Sequence, residues 1–184
     1  MRILVTYGSK RGGTAGIAEM LAQALSQRGF QAEARPASEV KSVEEYDAVV
    51  VGGALYSSFW HRDARRFIKR HTEALRSRPV WLFSSGPLDD SAARNEIPPV
   101  KQVQRLMERI GARGHITFGG RLAPDAKGFI VSRMARTHAG DWREPRLILA
   151  WSEMLGEALG SFARERPHPE PRQVPSSFPE DAHP

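Results

Sequence analysis

The sequence predicts one α/β domain whose five parallel strands lie in the order 2-1-3-4-5, with helices on both faces of the sheet. Apolar runs typical of buried parallel strands alternate along the chain with amphipathic helical patterns. We find no turn signal between two strands that would predict a hairpin. Three of the strands end in loops of small residues. The carboxyl ends of parallel strands face one crevice, so we expect a ligand there.

The first half of the chain is predicted to hold three strands and one helix. Ile3–Tyr7 is the first strand, and the helix Thr14–Arg28 follows it and ends at Gly29. Gln31–Arg35 is short and polar, which is typical of a strand at a sheet edge. Ala48–Gly53 is continuously apolar, which indicates a central strand buried on both faces.

The second half continues the alternation to the end of the predicted domain. A single helix is predicted over Asp63–Arg76, followed by the buried strand Val80–Phe83. Apolar residues at helical spacing predict a helix over Val100–Ile110. His115–Phe118 is the last predicted strand, and Ile148–Arg164 is the closing helix.

Two segments do not fit a minimal domain of this class. Residues 121–146, from Arg121 to Arg146, are too many for a loop between a strand and a helix, so we predict a basic insertion. Its centre, Phe129–Arg136, has the pattern of an amphipathic basic helix. Residues 166–184 are rich in proline, which predicts a disordered tail after a domain that spans 1–165.

The loop after the first strand is the strongest functional signal. Hydroxyl groups and flexible glycines directly before a helix can surround a phosphate with side-chain donors, backbone N–H groups and the positive helix end. No Gly-Lys-Ser/Thr sequence closes the loop, which excludes the phosphate loop of NTPases. An ordinary glycine-rich turn is the alternative. The candidate phosphate-binding residues are Ser9, Lys10, Arg11, Gly12, Gly13 and Thr14.

Two further loops are predicted to meet the first at the same sheet edge. The loop after the central strand is rich in aromatic residues, which suit stacking on a flat ring, although they could instead cover the next helix. The loop after the fourth strand would flank the other side of that ring. The candidate ligand-binding residues are Ala54, Leu55, Tyr56, Ser57, Phe59 and Trp60 in the former loop and Ser84, Ser85, Gly86 and Pro87 in the latter.

Few residues outside these loops suggest chemistry. His61 is a candidate proton donor or substrate contact, and its alternative is a water-facing residue at a helix start. His71, in the middle of a predicted helix, is expected on the surface. Asp89 and Asp90 have no histidine or glutamate at ligand spacing, so we interpret them as a solvated turn or helix cap and predict no metal site.

Composition narrows the classes of partner. The chain has 184 residues, no cysteine and a net charge of +6, which excludes thiol chemistry and favours acidic or anionic partners. Arginine and lysine are spread out without a stacking platform, so we expect no nucleic acid partner. Without a spanning run of apolar residues, we expect a cytoplasmic protein that could lie on an anionic membrane surface through residues 121–146. The sequence does not indicate an oligomeric state.

Several motifs resemble those of flavodoxin-like proteins and, among these, of the menaquinone-dependent protoporphyrinogen oxidase group. The pattern Ser-x-x-Gly-x-Thr resembles the loop by which flavodoxins hold the phosphate of FMN. One departure is Tyr56-Ser57-Ser58, where the group often has Arg-Tyr-Gly. The matching segments are Ser9–Thr14, Val51–Leu55 with Trp60-His61, Phe67–His71 and Gly119–Leu122, together with Asp141 and Trp151 at matching spacing.

The resemblance implies a flavodoxin-like fold and FMN as cofactor. It further implies an oxidoreductase that takes electrons from a protoporphyrinogen-like substrate and gives them to a quinone. Two other hypotheses stay open at this point. One is an electron carrier that docks on a redox partner protein without a substrate of its own. The other is an interaction protein without a flavin.

Overall fold

The computed structural model describes residues 1–10, 12–122 and 140–165 as strands, helices and connecting loops. The strands are β1 (Arg2–Gly8), β2 (Gln31–Pro36), β3 (Ala48–Tyr56), β4 (Phe59–Trp60), β5 (Val80–Ser85), β6 (Gly114–Phe118), β7 (Arg121–Leu122) and β8 (Gly140–Asp141). The helices are α1 (Gly13–Gln27), α2 (Arg62–Arg70), α3 (Thr72–Arg76), α4 (Ser91–Arg94), α5 (Lys101–Ile110) and α6 (Pro145–Glu165).

Five parallel strands form the main sheet in the order β2-β1-β3-β5-β6. This is the predicted order 2-1-3-4-5, because β4 joins the sheet only as an antiparallel partner of β3. The strands pair in a register that places Gly8 beside Gly53 and Gly53 beside Ser84. The carboxyl ends of β1, β3 and β5 therefore lie side by side at one edge, as the sequence predicts.

Helices cover both faces of the sheet because the central strands are apolar on both sides. Val49 and Val51 pack towards α2, α3 and α5, where Phe67 is among the buried residues. Ala48 and Val50 point to the opposite face, where α1 and α6 contribute most of the helical core residues. The continuous apolar run of β3 is thus the signature of a strand between two helical layers.

The predicted helix over Asp63–Arg76 is wrong in its continuity. It ends at Arg70, and α3 begins after His71, which serves as the cap residue between the two helices. The expectation that His71 lies on the surface is also wrong, since it is only 9% exposed and its ring lies 4.8 Å from that of Phe67. Helical periodicity continues across the break, so it gave no sign that the helix is interrupted at His71.

The prediction of a sheet without hairpins is wrong at the end of β3. This strand continues to Tyr56, and a two-residue turn connects it to β4, which pairs Leu55 with Trp60. Ser57 and Ser58 both have positive φ, at 48° and 65°. Such turns usually carry asparagine and glycine, which tolerate this backbone conformation, so the Ser-Ser sequence gave no hairpin signal.

The predicted basic insertion leaves and re-enters the fold at one place. Its two ends form the antiparallel ladder of β7 and β8, in which Arg121 pairs with Asp141. The predicted helix Phe129–Arg136 and the tail 166–184 lie outside the described residues. Among the helices that the structure describes, none has the length and apolar character needed to cross a membrane.

Asp89 and Asp90 form a turn and a helix start, as the alternative to a metal site predicts. The backbone N–H of Ser91 donates to the Asp89 carboxylate at 2.9 Å. Asp90 is the residue before α4 and pairs with Arg94 one turn later. Within the described parts of the chain, no three metal-ligating side chains cluster.

Replacing both hairpin serines, as Ser57→Asn with Ser58→Gly, is expected to raise the free energy of unfolding by about 1 kcal/mol, because the new residues tolerate positive φ. Urea unfolding measures the change. Ser77→Gly is the control, since Ser77 has a φ of −86° and needs no glycine. That control is expected to lose stability, and an equal loss in the hairpin variant would contradict the strained turn.

Candidate functional site

The candidate site lies at the carboxyl edge of the sheet, where β1, β3 and β5 end together. Gly8 closes β1 so tightly against α2 that a Cβ there would lie 2.8 Å from the backbone nitrogen of Ala64. Gly86, after β5, would likewise press a Cβ against Leu55 at 2.9 Å. Gly8 therefore lets α2 lie close to the end of β1, and Gly86 lets the loop after β5 lie close to Leu55 in β3.

The loop between β1 and α1 leaves the start of the helix without a side-chain cap. Gly12 holds the N-cap position with φ of 76°, and it has no side chain that could accept from the first N–H groups. Ser9 is half-buried and Lys10 is exposed beside it. Arg11 lies outside the described residues. The first turn of α1 thus presents backbone donors and the positive end of the helix dipole.

Thr14 adds a buried polar atom to this helix start. The residue is 1% exposed, and its Oγ1 has no hydrogen-bond partner among the described residues. Leaving a hydroxyl buried and unbonded costs about 1 to 3 kcal/mol. A ligand oxygen at the helix start would accept from this hydroxyl and remove that cost.

Two arginines and one carboxylate border the same helix start. The backbone of Arg121 lies 3.3 Å from where a Cβ of Gly13 would be, and the Arg143 guanidinium lies over Gly16. Asp141 accepts from Arg143 Nε at 2.8 Å, and this hydrogen bond lowers the pKa of Asp141. Arg143 was not among the predicted site residues, because no local sequence pattern indicates that it reaches α1.

The hairpin divides the predicted aromatic residues between the core and the surface. Trp60 is 1% exposed, and its indole lies against Gly53, where a Cβ would be 2.6 Å from the ring. The expected role of Trp60 in stacking on a ligand is therefore contradicted, because the ring is enclosed by protein. Tyr56 and Phe59 remain exposed, at 37% and 59%.

Ser84 does not lie in a loop as expected. It belongs to β5, is 1% exposed, and accepts a 2.9 Å hydrogen bond from Trp60 Nε1. Its hydroxyl also lies 2.9 Å from Nε2 of His115. Ser84 therefore anchors the hairpin from below and is not free to bind a ligand. Ser85 is likewise buried in β5, whereas Gly86 and Pro87 do follow the strand.

His61 is the N-cap residue of α2 and is buried, so the water-facing alternative is wrong. The residue is 6% exposed, and its Nδ1 accepts from the backbone N–H of Asp63 at 3.3 Å. That bond leaves the proton of the neutral ring on Nε2, which has no partner among the described residues. Burial lowers the pKa of His61. The ring therefore offers a neutral N–H donor, 6.1 Å from the ring of Tyr56.

The comparisons with known proteins agree with this geometry. The family model described as "Flavodoxin domain" matches residues 4–137. The chain belongs to the flavodoxin-domain family. Membership implies a flavin cofactor and a redox role. The buried Thr14 hydroxyl and the uncapped helix start fit the phosphate of such a cofactor.

Solved structures show the same fold at low sequence identity. A flavodoxin from Pseudomonas aeruginosa, solved as a single-residue mutant, has a TM-score of 0.59 at 15% identity and covers 87% of this chain and 99% of its own. The rubredoxin oxygen:oxidoreductase of Desulfovibrio gigas has a TM-score of 0.60 at 10% identity, over 87% of this chain and 36% of its own. Both likenesses concern the fold alone.

A curated relative is more similar in sequence over a shorter region. The "Protoporphyrinogen IX dehydrogenase [quinone]" of Escherichia coli strain K12 is 30% identical over 86 residues, which is 46% of this chain. The chain spans about half the length of the curated relatives it matches, at 48%. The family match confirms the predicted resemblance to flavodoxin-like proteins. The sequence match confirms the predicted similarity to the protoporphyrinogen-oxidising group.

Acid is expected to weaken the fold through His115. Burial lowers the pKa of His115 to about 4, below the 6.5 of the unfolded chain. The neutral ring is fully compatible with folding above pH 6.5, and stability falls as the pH drops from 6.5 to about 4, by at most about 3 kcal/mol.

The variant His115→Asn cannot take up this proton, so its urea unfolding should lose less stability between neutral pH and pH 4. Buried His61 and His71 have pKa values lowered in the same direction, and they leave a residual slope. Identical pH profiles for the variant and the parent protein would contradict the neutral state of the partly buried His115.

Proposed function

We propose that the protein is an FMN-dependent oxidoreductase that oxidises protoporphyrinogen IX or a similar reduced substrate and passes the electrons to a quinone. The observation that carries the FMN part is the buried hydroxyl of Thr14, which has no hydrogen-bond partner in the described part of the chain and lies at a helix start without a side-chain cap. The substrate and the acceptor are inferred from the name of the Escherichia coli relative. This chain matches 48% of that relative's length.

The phosphate of FMN would lie at the start of α1. Thr14 would donate its hydroxyl, and the backbone N–H groups of Gly13 and Thr14 would donate along the helix axis. Ser9 and Lys10 are close in sequence and partly or fully exposed, so both could reach the same anion. The guanidinium of Arg143 lies over Gly16, one turn along α1, and adds positive charge near this end of the helix.

The flat ring of the cofactor would lie towards the hairpin and the loop after β5. Bound FMN supplies the two-electron chemistry, since no side chain of the protein can accept electrons from such a substrate. Tyr56 offers an exposed ring beside this edge. His61 can donate its Nε2 proton in a hydrogen bond and stays neutral at pH 7, since burial lowers its pKa.

The charge of the chain supports an oxidase more than a low-potential carrier. A net charge of +6 would stabilise the negative charge that a bound flavin gains on reduction. This shifts the redox potential of the flavin towards less negative values. A carrier without its own substrate is the second candidate, because the chain shares its fold with flavodoxins. Contact of residues 121–146 with an anionic membrane stays a prediction, since most of that segment lies outside the described residues.

The variant Thr14→Val should bind FMN about 10- to 100-fold more weakly, because it removes a hydrogen bond to a charged group while keeping the shape of the side chain. The same change should leave the flavin-free protein equally stable or more stable, because it removes a buried hydroxyl for which the described residues offer no partner. Titration of the flavin-free protein with FMN, followed by flavin fluorescence, measures the affinity.

Thr6→Val is the matched control for this variant. Thr6 is equally buried, but its hydroxyl donates to the carbonyl of Arg35 at 3.0 Å. Its loss is expected to cost about 1 kcal/mol of stability and to leave FMN affinity unchanged. If Thr14→Val instead destabilised the fold and bound FMN normally, the hydroxyl would have a structural role.

Turnover separates the enzyme from the carrier. With oxygen excluded, the purified protein loaded with FMN should convert protoporphyrinogen IX to the fluorescent porphyrin only when a menaquinone analogue is present. Each two-electron oxidation of the substrate then reduces one quinone to a quinol. A protein whose flavin can be reduced but which forms no porphyrin would be a carrier, and one that never takes up flavin would be an interaction protein.

A further inference from the structure

A groove on the face opposite α1 carries positive charge that the proposed chemistry does not use. It lies between α2 and α5, reaches the hairpin residues Ser58 and Phe59, and has a volume of about 710 Å³. This volume lies within the range of ligand-binding clefts. Five of its lining side chains are cations, namely Arg65, Lys69, Lys101, Arg105 and Arg109.

The cations form two stripes because of their spacing along the helices. On α5, Lys101, Arg105 and Arg109 recur at every fourth residue and so share one face over about 12 Å. On α2, Arg65 and Lys69 have the same spacing and line the same groove. Like charges at this spacing destabilise a helix. The two stripes therefore oppose folding unless an anion compensates them.

The protein itself supplies no such anion among the described residues. The groove lining contains no aspartate or glutamate, and none of the five cations makes an ion pair within residues 1–10, 12–122 and 140–165. Arg65 Nε is buried, and no residue that the structure describes accepts a hydrogen bond from it. An unbonded guanidinium N–H in the groove points to an acceptor that comes from another molecule.

One end of the groove is apolar and is connected to the hairpin. Phe59 lines this end and is 59% exposed, and Val100 lies there too. Gln102 on α5 accepts from the backbone N–H of Trp60 at 3.0 Å. A molecule in the groove would therefore press on the same hairpin whose other residues border the candidate flavin site.

We propose that this groove binds an acidic segment of a partner protein, with carboxylates at helical spacing and an apolar residue that meets Phe59. Carboxylates one helical turn apart match the spacing of the cations. A membrane presents a flat surface, whereas Arg65 lines a groove and its Nε is buried, which favours an acceptor on a segment that enters the groove. Nucleic acid binding would favour a stacking platform over a single exposed ring at one end.

The test uses a synthetic, fluorescein-labelled helical peptide with glutamate at every fourth position and leucine beside one of them. Fluorescence anisotropy should show binding to the full chain, and a peptide with glutamine in place of glutamate should not bind. The double variant Arg105→Glu with Arg109→Glu should bind the acidic peptide at least about tenfold more weakly.

The matched control is Arg66→Glu with Arg70→Glu. These residues are exposed, have the same helical spacing on α2 and do not line the groove, and their reversal changes the net charge equally. The control should bind within about twofold of the parent protein. Phe59→Ala should weaken binding of the leucine-containing peptide. It should leave unchanged the binding of a peptide with alanine in place of leucine. Thermal unfolding of every variant checks that the fold is kept.

Three results would overturn the proposal. The first is no binding of the acidic peptide, and the second is an equal loss in both double variants, which would reduce the effect to net charge. The third is binding of phosphatidylserine vesicles or single-stranded DNA that depends on Arg105 and Arg109 when peptide binding does not. Binding of an acidic segment by the groove does not depend on the proposed function, and only a redox role of that partner would rest on it. Peptide binding is measured with and without FMN. A failure of the groove to bind the peptide is thereby distinguished from a failure of the protein to bind FMN.

Discussion

The register in which β1, β3 and β5 pair determines what this protein can bind. Parallel pairing places Gly8, Gly53 and Ser84 in one row. The three strands therefore end within three residues of one another at one edge of the sheet, with β3 extending furthest, into the hairpin. A shift by one residue would move every side chain of a strand to the other face. The two buried apolar layers exclude such a shift, so the core of the fold also fixes the geometry of the site.

The site combines rigid support with polar groups that the protein leaves unbonded. Trp60 packs on Gly53 and donates to Ser84, which secures the hairpin from inside the core. By contrast, the Thr14 hydroxyl and the His61 Nε2 proton are buried without partners among the described residues. Such groups cost stability in the free protein. Their position at one sheet edge is explained when a ligand completes their hydrogen bonds.

Much of the fold was predictable because apolar runs and helical periodicity report burial directly. The strand Ala48–Gly53 and the order of the parallel strands followed from these patterns. The hairpin was missed because Ser57 and Ser58 adopt positive φ, a backbone conformation that serine does not predict. Trp60 was misplaced because an aromatic residue after a strand does not reveal which way its ring turns. The available signal was Gly53, since a glycine inside a buried strand often marks a close approach.

We propose that the start of α1 recognises a phosphate and thereby selects FMN. The most direct measurement compares the affinities of the flavin-free protein for FMN and for riboflavin, which has the same ring without the phosphate. We expect FMN to bind at least about 100-fold more tightly, because the helix start, Thr14 and nearby cations all act on the phosphate alone. Equal affinities for the two flavins would contradict the claim.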